Sequence, residues 1–212
     1  MNRIRPLPRR RAARGIASIE FAILLPIFIF LTLPVIDFAR AIQANLILVN
    51  LTREGASLAS RSASYTPQDI MVALAQTTPP LKMSQRGMIY ITKIMGDNEC
   101  NKSGSNCAVR NIVLEQYRWA GGWSLGGSAP DSKVWNCGGG TGQWQNDGSC
   151  GGMPAGGSTS PTANAMTGLL TDGQIAYVVE SYYNFDMLFK GLTIGLLRMP
   201  DIGPNLYSVT SF

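Results

Sequence analysis

An uninterrupted apolar stretch near the amino terminus constrains this chain more than any other feature. Residues 16–36 contain one charged side chain, that of Glu20. As a helix they would span roughly 32 Å at about 1.5 Å per residue, enough to cross the hydrocarbon core of a bilayer. Pro26 and Pro34 should bend this helix locally, which membrane helices tolerate. Because a carboxylate in hydrocarbon is costly, Glu20 is predicted to have a function.

The basic residues are concentrated ahead of this stretch. The formal net charge is +5, yet the chain beyond Gly15 has slightly more acidic than basic side chains. The arginines before Gly15 are Arg3, Arg5, Arg9, Arg10, Arg11 and Arg14. A basic head beside an apolar span stays in the cytoplasm, so the rest of the chain should face the other side. No nucleic-acid partner is predicted, because the remaining chain has no basic surface.

The four cysteines all follow the predicted span, where disulfides can form. Of the three pairings that four cysteines allow, we predict the two local ones. These are Cys100 with Cys107 and Cys137 with Cys150. A zinc site is disfavoured because neither pair has the short spacing of a zinc knuckle and the chain has no histidine. We therefore predict no metal and no cofactor.

The predicted helix continues past the span over residues 37–64. Apolar residues recur at spacings of three to four and form a stripe at Phe38, Ile42, Leu46 and Val49. Gly55 should weaken the helix, and Pro67 should follow its end.

Residues 65–212 have the pattern of a small α+β domain. A second helix is predicted over residues 67–77, with Ile70, Ala73 and Leu74 on one face. Three stretches rich in β-branched and aromatic residues predict strands, over residues 88–95, 109–119 and 175–185. The first two should form an antiparallel hairpin covered by the long helix. The apolar tail, residues 188–197, is predicted to be a core segment or an amphipathic helix packed on the sheet.

Residues 120–167 form a long loop dense in glycine, serine and threonine. All the tryptophans lie in it or beside it, namely Trp119, Trp123, Trp135 and Trp144. Indole rings on glycine-rich turns can form a binding surface for a carbohydrate or a protein. They can equally form the core of a small disulfide-linked subdomain. The sequence leaves both interpretations open.

No catalytic constellation is evident, and the chain is predicted not to be an enzyme. The absence of histidine excludes catalytic triads and histidine-ligated metals. The glycine run at residues 138–142 does not open a helix after a strand, as a phosphate-binding loop would. Carboxylate pairs for glycoside hydrolysis are disfavoured by the low density of acidic residues.

The junction at Gly15 resembles the type IV pilin and pseudopilin signal. Gly15 follows a basic head, and Glu20 is the fifth residue counted from Ile16. The resemblance implies a leader of residues 1–15, cut after Gly15 by an inner-membrane prepilin peptidase. Glu20 could then neutralise the free amine of a neighbouring subunit, a pairing that is strong at low dielectric.

Three steps over residues 14–60 resemble the TadE/TadF family of minor pseudopilins from tight-adherence pilus systems. They are Glu20-Phe21, Asp37-Phe38-Ala39-Arg40 and Arg53-Glu54-Gly55-Ala56. Asp37 stands where the family more often has glutamate. Asp37 and Arg40 share a helix face and can pair at the membrane exit. Arg53 and Glu54 point to different faces, and each can dock the helix onto the domain or a neighbour.

The resemblance implies a minor pseudopilin or assembly protein of a tight-adherence (type IVb Flp) pilus system. Its implied partners are a prepilin peptidase, other pilins or pseudopilins, and inner-membrane pilus assembly proteins. It would be a single-pass protein of the bacterial inner membrane with a periplasmic carboxy-terminal domain, or part of an extracellular pilus. The alternatives are a membrane-anchored or secreted binding module using the tryptophan loop, an ordinary signal peptide cut near Ala41, an uncleaved anchor, or Glu20 at the membrane interface.

Overall fold

A computed structural model of the protein describes residues 13–61, 64–100, 107–139, 142–153, 159–190, 193–194, 197–198 and 205–212. The chain divides into two compact units. The first comprises residues 1–40 and 187–202, and the second comprises residues 41–186 and 203–212. Residues 1–12 of the predicted leader lie outside the described residues.

Helix α1, Ala13–Arg61, confirms the prediction of a long amino-terminal helix. It contains Pro26 and Pro34, and it continues through Gly55 instead of weakening there. The helix is long and apolar enough to cross a membrane. Most side chains from Ser18 to Ile36 are exposed, as those of a lipid-facing helix would be. The division into a span over residues 16–36 and an extension over residues 37–64 remains a prediction.

The second unit is built on an antiparallel sheet with the strand order β2-β1-β5-β8. Its strands are β1 Gly87–Cys100, β2 Cys107–Arg118, β5 Ile175–Asn184 and β8 Asn205–Ser211. The predicted hairpin of β1 and β2 is present, and β5 pairs with the other edge of β1. Strand β8 was not predicted, because it is short and only its pairing with β5 defines it. The α+β fold class is confirmed.

Two short helices precede the sheet. Helix α2, Pro67–Gln76, begins with a capping box in which the Asp69 N–H donates to Thr66 Oγ1 and the Thr66 N–H donates to Asp69 Oδ2. The Thr66 hydroxyl also lies 2.6 Å from Asp69 Oδ2, and this hydrogen bond, followed by that from the Thr66 N–H, lowers the pKa of the Asp69 carboxyl. Met71 is buried beside Ile70 and Leu74, whereas the predicted Ala73 is exposed. A single-turn helix α3, Met83–Arg86, leads directly into β1.

The part of α1 that lies in the second unit packs on the sheet through a mixture of small residues and leucines. Its buried side chains include Ala44, Leu48, Leu51, Thr52 and Ala56. The Thr52 hydroxyl lies 3.0 Å from both the Ser208 and the Thr210 hydroxyl on β8. The apolar stripe noted in the sequence faces elsewhere, since Ile42 and Leu46 are 61% and 58% exposed.

Gly55 is packed closely against side chains of α2 and β5. A Cβ atom at this position would lie 2.8 Å from Leu74 Cδ1 and 3.1 Å from Val179 Cγ1. A larger residue therefore requires the side chains of Leu74 and Val179 to shift. Helix α1 continues through Gly55, where close packing against Leu74 and Val179 offsets the poor helix propensity of glycine.

The long loop and the tail contain only short regular elements. Within the loop are a 3₁₀ turn at Cys137–Gly139 and the two-residue strands β3 Gln143–Trp144 and β4 Cys150–Gly151, which pair with each other. In the first unit, β6 Thr193–Ile194 pairs with β7 Leu197–Arg198. The pairing of residues 193–194 with residues 197–198 takes the place of the predicted amphipathic helix, and these residues are grouped with residues 1–40. That the tail is a core segment packed on the sheet stays a prediction.

Candidate functional site

The residues of the predicted processing signal lie at the start of α1. Gly15 and Ile16 are in its first turns. Glu20 and Phe21 are exposed on the helix surface, Phe21 to 65%. Among the described residues, no ion pair to Glu20 is formed within the chain. Both side chains are therefore available to a neighbouring molecule.

Asp37 is fully buried and collects three hydrogen bonds within the first unit. Its Oδ1 accepts from the Leu188 N–H at 3.0 Å and from Arg40 Nη1 at 3.2 Å. Its Oδ2 accepts from the Phe189 N–H at 3.0 Å. The predicted pairing of Asp37 with Arg40 is present, and the two backbone donors add a contact that no spacing in the sequence indicated.

This geometry makes Asp37 the attachment point of the tail. A carboxylate that accepts hydrogen bonds from two successive backbone N–H groups fixes the turn to which these groups belong. Leu188 is 151 residues from Asp37 in the chain, so only the fold brings them together. Arg40 is 41% exposed and provides the balancing charge on the open side of the carboxylate.

The residues of the third family-like motif, Arg53-Glu54-Gly55-Ala56, lie in two different environments. Arg53 and Glu54 are exposed on α1, whereas Gly55 is buried against α2 and β5. The glycine therefore has a packing role within the domain. The two charged residues are free to meet solvent or another protein, as their predicted docking role requires.

One predicted disulfide is confirmed. Cys137 and Cys150 are bonded, with their Cα atoms 6.0 Å apart. Cys100 and Cys107 are direct partners in the register of β1 and β2. The side chains of this second pair lie outside the described part, so their bond remains a prediction.

The tryptophans divide between a cleft and the core. Trp119, Trp123 and Trp144 line an open cavity of about 600 Å³, which we call the tryptophan cleft. Tyr90, Arg118 and Asp131 complete its main lining. Trp135 instead packs against a buried cluster that includes Val134 and Val178. The candidate binding surface thus comprises three of the four predicted tryptophans, together with side chains that the sequence did not single out.

The rings of the cleft are held in place by contacts with one another and with the backbone. The Tyr90 and Trp144 ring centroids are 5.9 Å apart, and Arg118 Cζ lies 5.0 Å from the Trp144 ring. The Tyr90 hydroxyl donates to the Pro130 carbonyl at 2.6 Å. Burial, together with the negative charge of Asp131, raises the pKa of the Tyr90 phenol.

Trp123 occupies an unusual backbone conformation. Its φ of +56° lies in the left-handed region that favours glycine. The Trp123 N–H donates to the Gly87 carbonyl at 2.9 Å, and the Ser124 N–H donates to the Ser84 carbonyl at 3.1 Å. These backbone bonds hold a bulky side chain in a conformation that costs about 1–3 kcal/mol. Such a cost is most often retained where the side chain has a task.

A buried carboxylate, Glu180, attaches the wall of the cleft to the sheet. It accepts hydrogen bonds from the Ser132 hydroxyl, from the Lys133 N–H at 2.9 Å and from the Tyr207 hydroxyl at 3.0 Å. The Tyr182 hydroxyl lies 3.4 Å from the same carboxylate. Burial and the charge of Glu180 raise the pKa of both tyrosines. In the sequence, Glu180 is an acidic residue within the apolar pattern of β5. That exception to the pattern could have indicated this site, but no prediction was based on it.

A second polar side chain supports the same attachment. Gln116 Nε2 donates to the Ser132 hydroxyl at 3.1 Å and to the Trp135 carbonyl at 2.7 Å. Lys133 places its ammonium 3.9 Å from the centre of the Tyr207 ring. Residues 132–135 are thereby fixed to β2, β5 and β8 by polar contacts.

Comparison with known proteins gives a match for the amino-terminal part of the chain alone. The model of the family described as TadE-like protein matches residues 15–57. No curated protein and no solved structure matches the chain. The match covers Glu20, Asp37, Arg40 and Arg53, whereas the tryptophan cleft lies outside it. No group of potential metal ligands occurs within the described residues.

Proposed function

We propose that the protein is a minor pseudopilin or assembly protein of a tight-adherence pilus system, with a structural role and no catalytic one. The TadE-like segment indicates a protein associated with a Tad pilus. The matched residues lie within α1, the one helix among the described residues that is long and apolar enough to cross a membrane, which is consistent with a single-pass membrane anchor. The match over residues 15–57 is the observation that carries the proposal.

The finer proposal is that a prepilin peptidase cuts after Gly15 and that the sheet domain lies in the periplasm. The arginine-rich head supports this orientation, because basic residues beside a span remain cytoplasmic. The exposed surface of α1 supports assembly with other pilins, pseudopilins or inner-membrane assembly proteins. Glu20 supports a role in holding subunits in register, since it is the one charged side chain of the apolar span over residues 16–36.

Processing is tested by reading the amino terminus of the protein purified from its native host by mass spectrometry. We expect Ile16. A Gly15→Leu variant should accumulate with its leader attached, because a bulky residue at the cut obstructs the peptidase, whereas Ala13→Leu should be processed normally. An amino terminus near Ala41, or an unprocessed wild-type protein, would contradict the proposal.

The assembly role of the carboxylate is tested with Glu20→Ala. Processing should continue, while surface pili counted by electron microscopy should fall about tenfold, since losing one pairing worth about 1.4 kcal/mol changes an equilibrium by that factor. Glu115→Ala, which removes an exposed acid of the sheet domain outside the TadE-like segment, serves as the control for a general loss of charge. Normal piliation in the Glu20 variant would remove the role assigned to this residue.

A further inference from the structure

We propose that the tryptophan cleft binds a neutral oligosaccharide. This site lies outside the TadE-like segment and goes beyond the proposed role in a pilus system. It would give the domain a glycan-binding activity independent of how the protein is anchored. The cleft lies wholly within the second unit.

The aromatic lining fits the apolar faces of sugar rings. The C–H bonds on one face of a pyranose carry partial positive charge, and the face of an indole is negative. Trp123 and Trp144 are only half-buried and line the cavity, so part of each ring is accessible there. The volume of about 600 Å³ falls within the range of about 300–1,000 Å³ that is usual for ligand sites.

The polar lining fits hydroxyl groups and favours an uncharged ligand. Asp131 and Gln145 are exposed at the cleft, and Asn136 is half-buried there. A carboxylate can accept a hydrogen bond from a sugar hydroxyl. A side-chain amide can accept a hydrogen bond from one hydroxyl and donate a hydrogen bond to its neighbour. Arg118 and Asp131 contribute opposite charges to the lining. The cleft therefore offers hydrogen bonds without a net attraction for either anions or cations.

Two further observations point to a ligand. The indole N–H groups of Trp119 and Trp123 are buried and have no hydrogen-bond partner among the described residues. Trp119 is 6% exposed, so its donor is far from bulk water. Buried donors of this kind are normally satisfied. The left-handed backbone of Trp123 adds a conformational cost that a purely structural tryptophan would not require.

The cleft is also rigidly supported, as a site for a weakly interacting ligand should be. The disulfide from Cys137 to Cys150 closes the hairpin that carries Trp144. Glu180 holds Ser132 and Lys133, which directly follow Asp131. Preorganisation lowers the entropic cost of binding, which matters for sugars because each contact is weak.

The competing interpretation makes the tryptophans a structural core. It describes Trp135, which packs against a buried cluster that includes Val134 and Val178. It does not account for Trp123, whose backbone conformation favours glycine. Trp123→Gly should therefore relieve strain and leave the fold in place, since the backbone bonds of residues 123 and 124 do not depend on the side chain.

The test is a titration of the full-length protein, reconstituted in lipid nanodiscs, with maltotriose, cellotriose and chitotriose. Tryptophan fluorescence and isothermal titration calorimetry should show saturable binding of at least one of these sugars. Trp123→Gly should weaken binding about tenfold or more while the thermal unfolding midpoint stays unchanged or rises. Tyr65→Ala, which removes an aromatic side chain that is 69% exposed and outside the cleft, should bind as the wild type does.

Several results would overturn the proposal. The first is that none of the three sugars gives a saturable response. The second is that Trp123→Gly binds the sugar as tightly as the wild type does. The third is that only the acidic sugar sialyllactose gives a response. If Trp123→Gly instead lowers the unfolding midpoint, Asp131→Ala provides the deciding measurement. This exposed side chain can be removed without opening the core, and unchanged sugar affinity would then contradict the assignment of the cleft. None of these outcomes depends on leader processing, so failure here leaves the pilus proposal intact.

Discussion

Replacing Glu180 with alanine should lower the free energy of unfolding of the sheet domain by about 3–5 kcal/mol. The carboxylate is fully buried and accepts from the Ser132 hydroxyl, the Lys133 N–H and the Tyr207 hydroxyl. Its removal leaves these donors without an acceptor in a place that water reaches poorly. Urea unfolding of the reconstituted protein, followed by circular dichroism, measures the change.

Two variants make this prediction specific. Glu180→Gln keeps the volume and one acceptor oxygen, so it should lose less stability than the alanine variant. Glu115→Ala removes an exposed strand glutamate whose ion pair with Lys93 is at the surface, and its effect should stay below about 1 kcal/mol. Equal effects of Glu180→Ala and Glu115→Ala would show that the buried network contributes nothing specific.

Replacing Asp37 with alanine should release the tail from α1. The Leu188 and Phe189 amides would lose their charged acceptor, and hydrogen bonds to charged groups contribute about 1.5–3 kcal/mol each. We expect their hydrogen exchange to become about a hundredfold faster, which corresponds to about 3 kcal/mol of lost local stability. Hydrogen–deuterium exchange of the protein in nanodiscs, read by mass spectrometry, measures this change.

The matched control is Arg40→Ala. Arg40 bonds to the same carboxylate but is 41% exposed, so its loss should cost less than about 1 kcal/mol. Exchange at residues 188 and 189 should then remain close to that of the wild type. Unchanged exchange in Asp37→Ala would show that the tail is held by other contacts.

The long helix, the hairpin and one disulfide were predictable because each depends on local information. Apolar length specifies α1 despite Pro26 and Pro34 within it, and alternation with β-branched residues specifies β1 and β2. Cys137 and Cys150 are separated by 13 residues, and a short loop favours their pairing. The packing face of α1 was harder to predict, because the helix buries a mixture of small residues and leucines, while Ile42 and Leu46 of the apolar stripe are exposed.

The sequence by itself determined an apolar helix with one carboxylate, a basic head and a TadE-like segment, since length, charge and motif spacing are properties of neighbouring residues. Only the tertiary structure decided how Asp37, Glu180 and the tryptophans are used. Asp37 meets amides 151 residues away, and Glu180 meets a loop 47 to 48 residues earlier. Such contacts form because a buried carboxylate must find donors wherever the fold supplies them, and no local pattern encodes which donors those are.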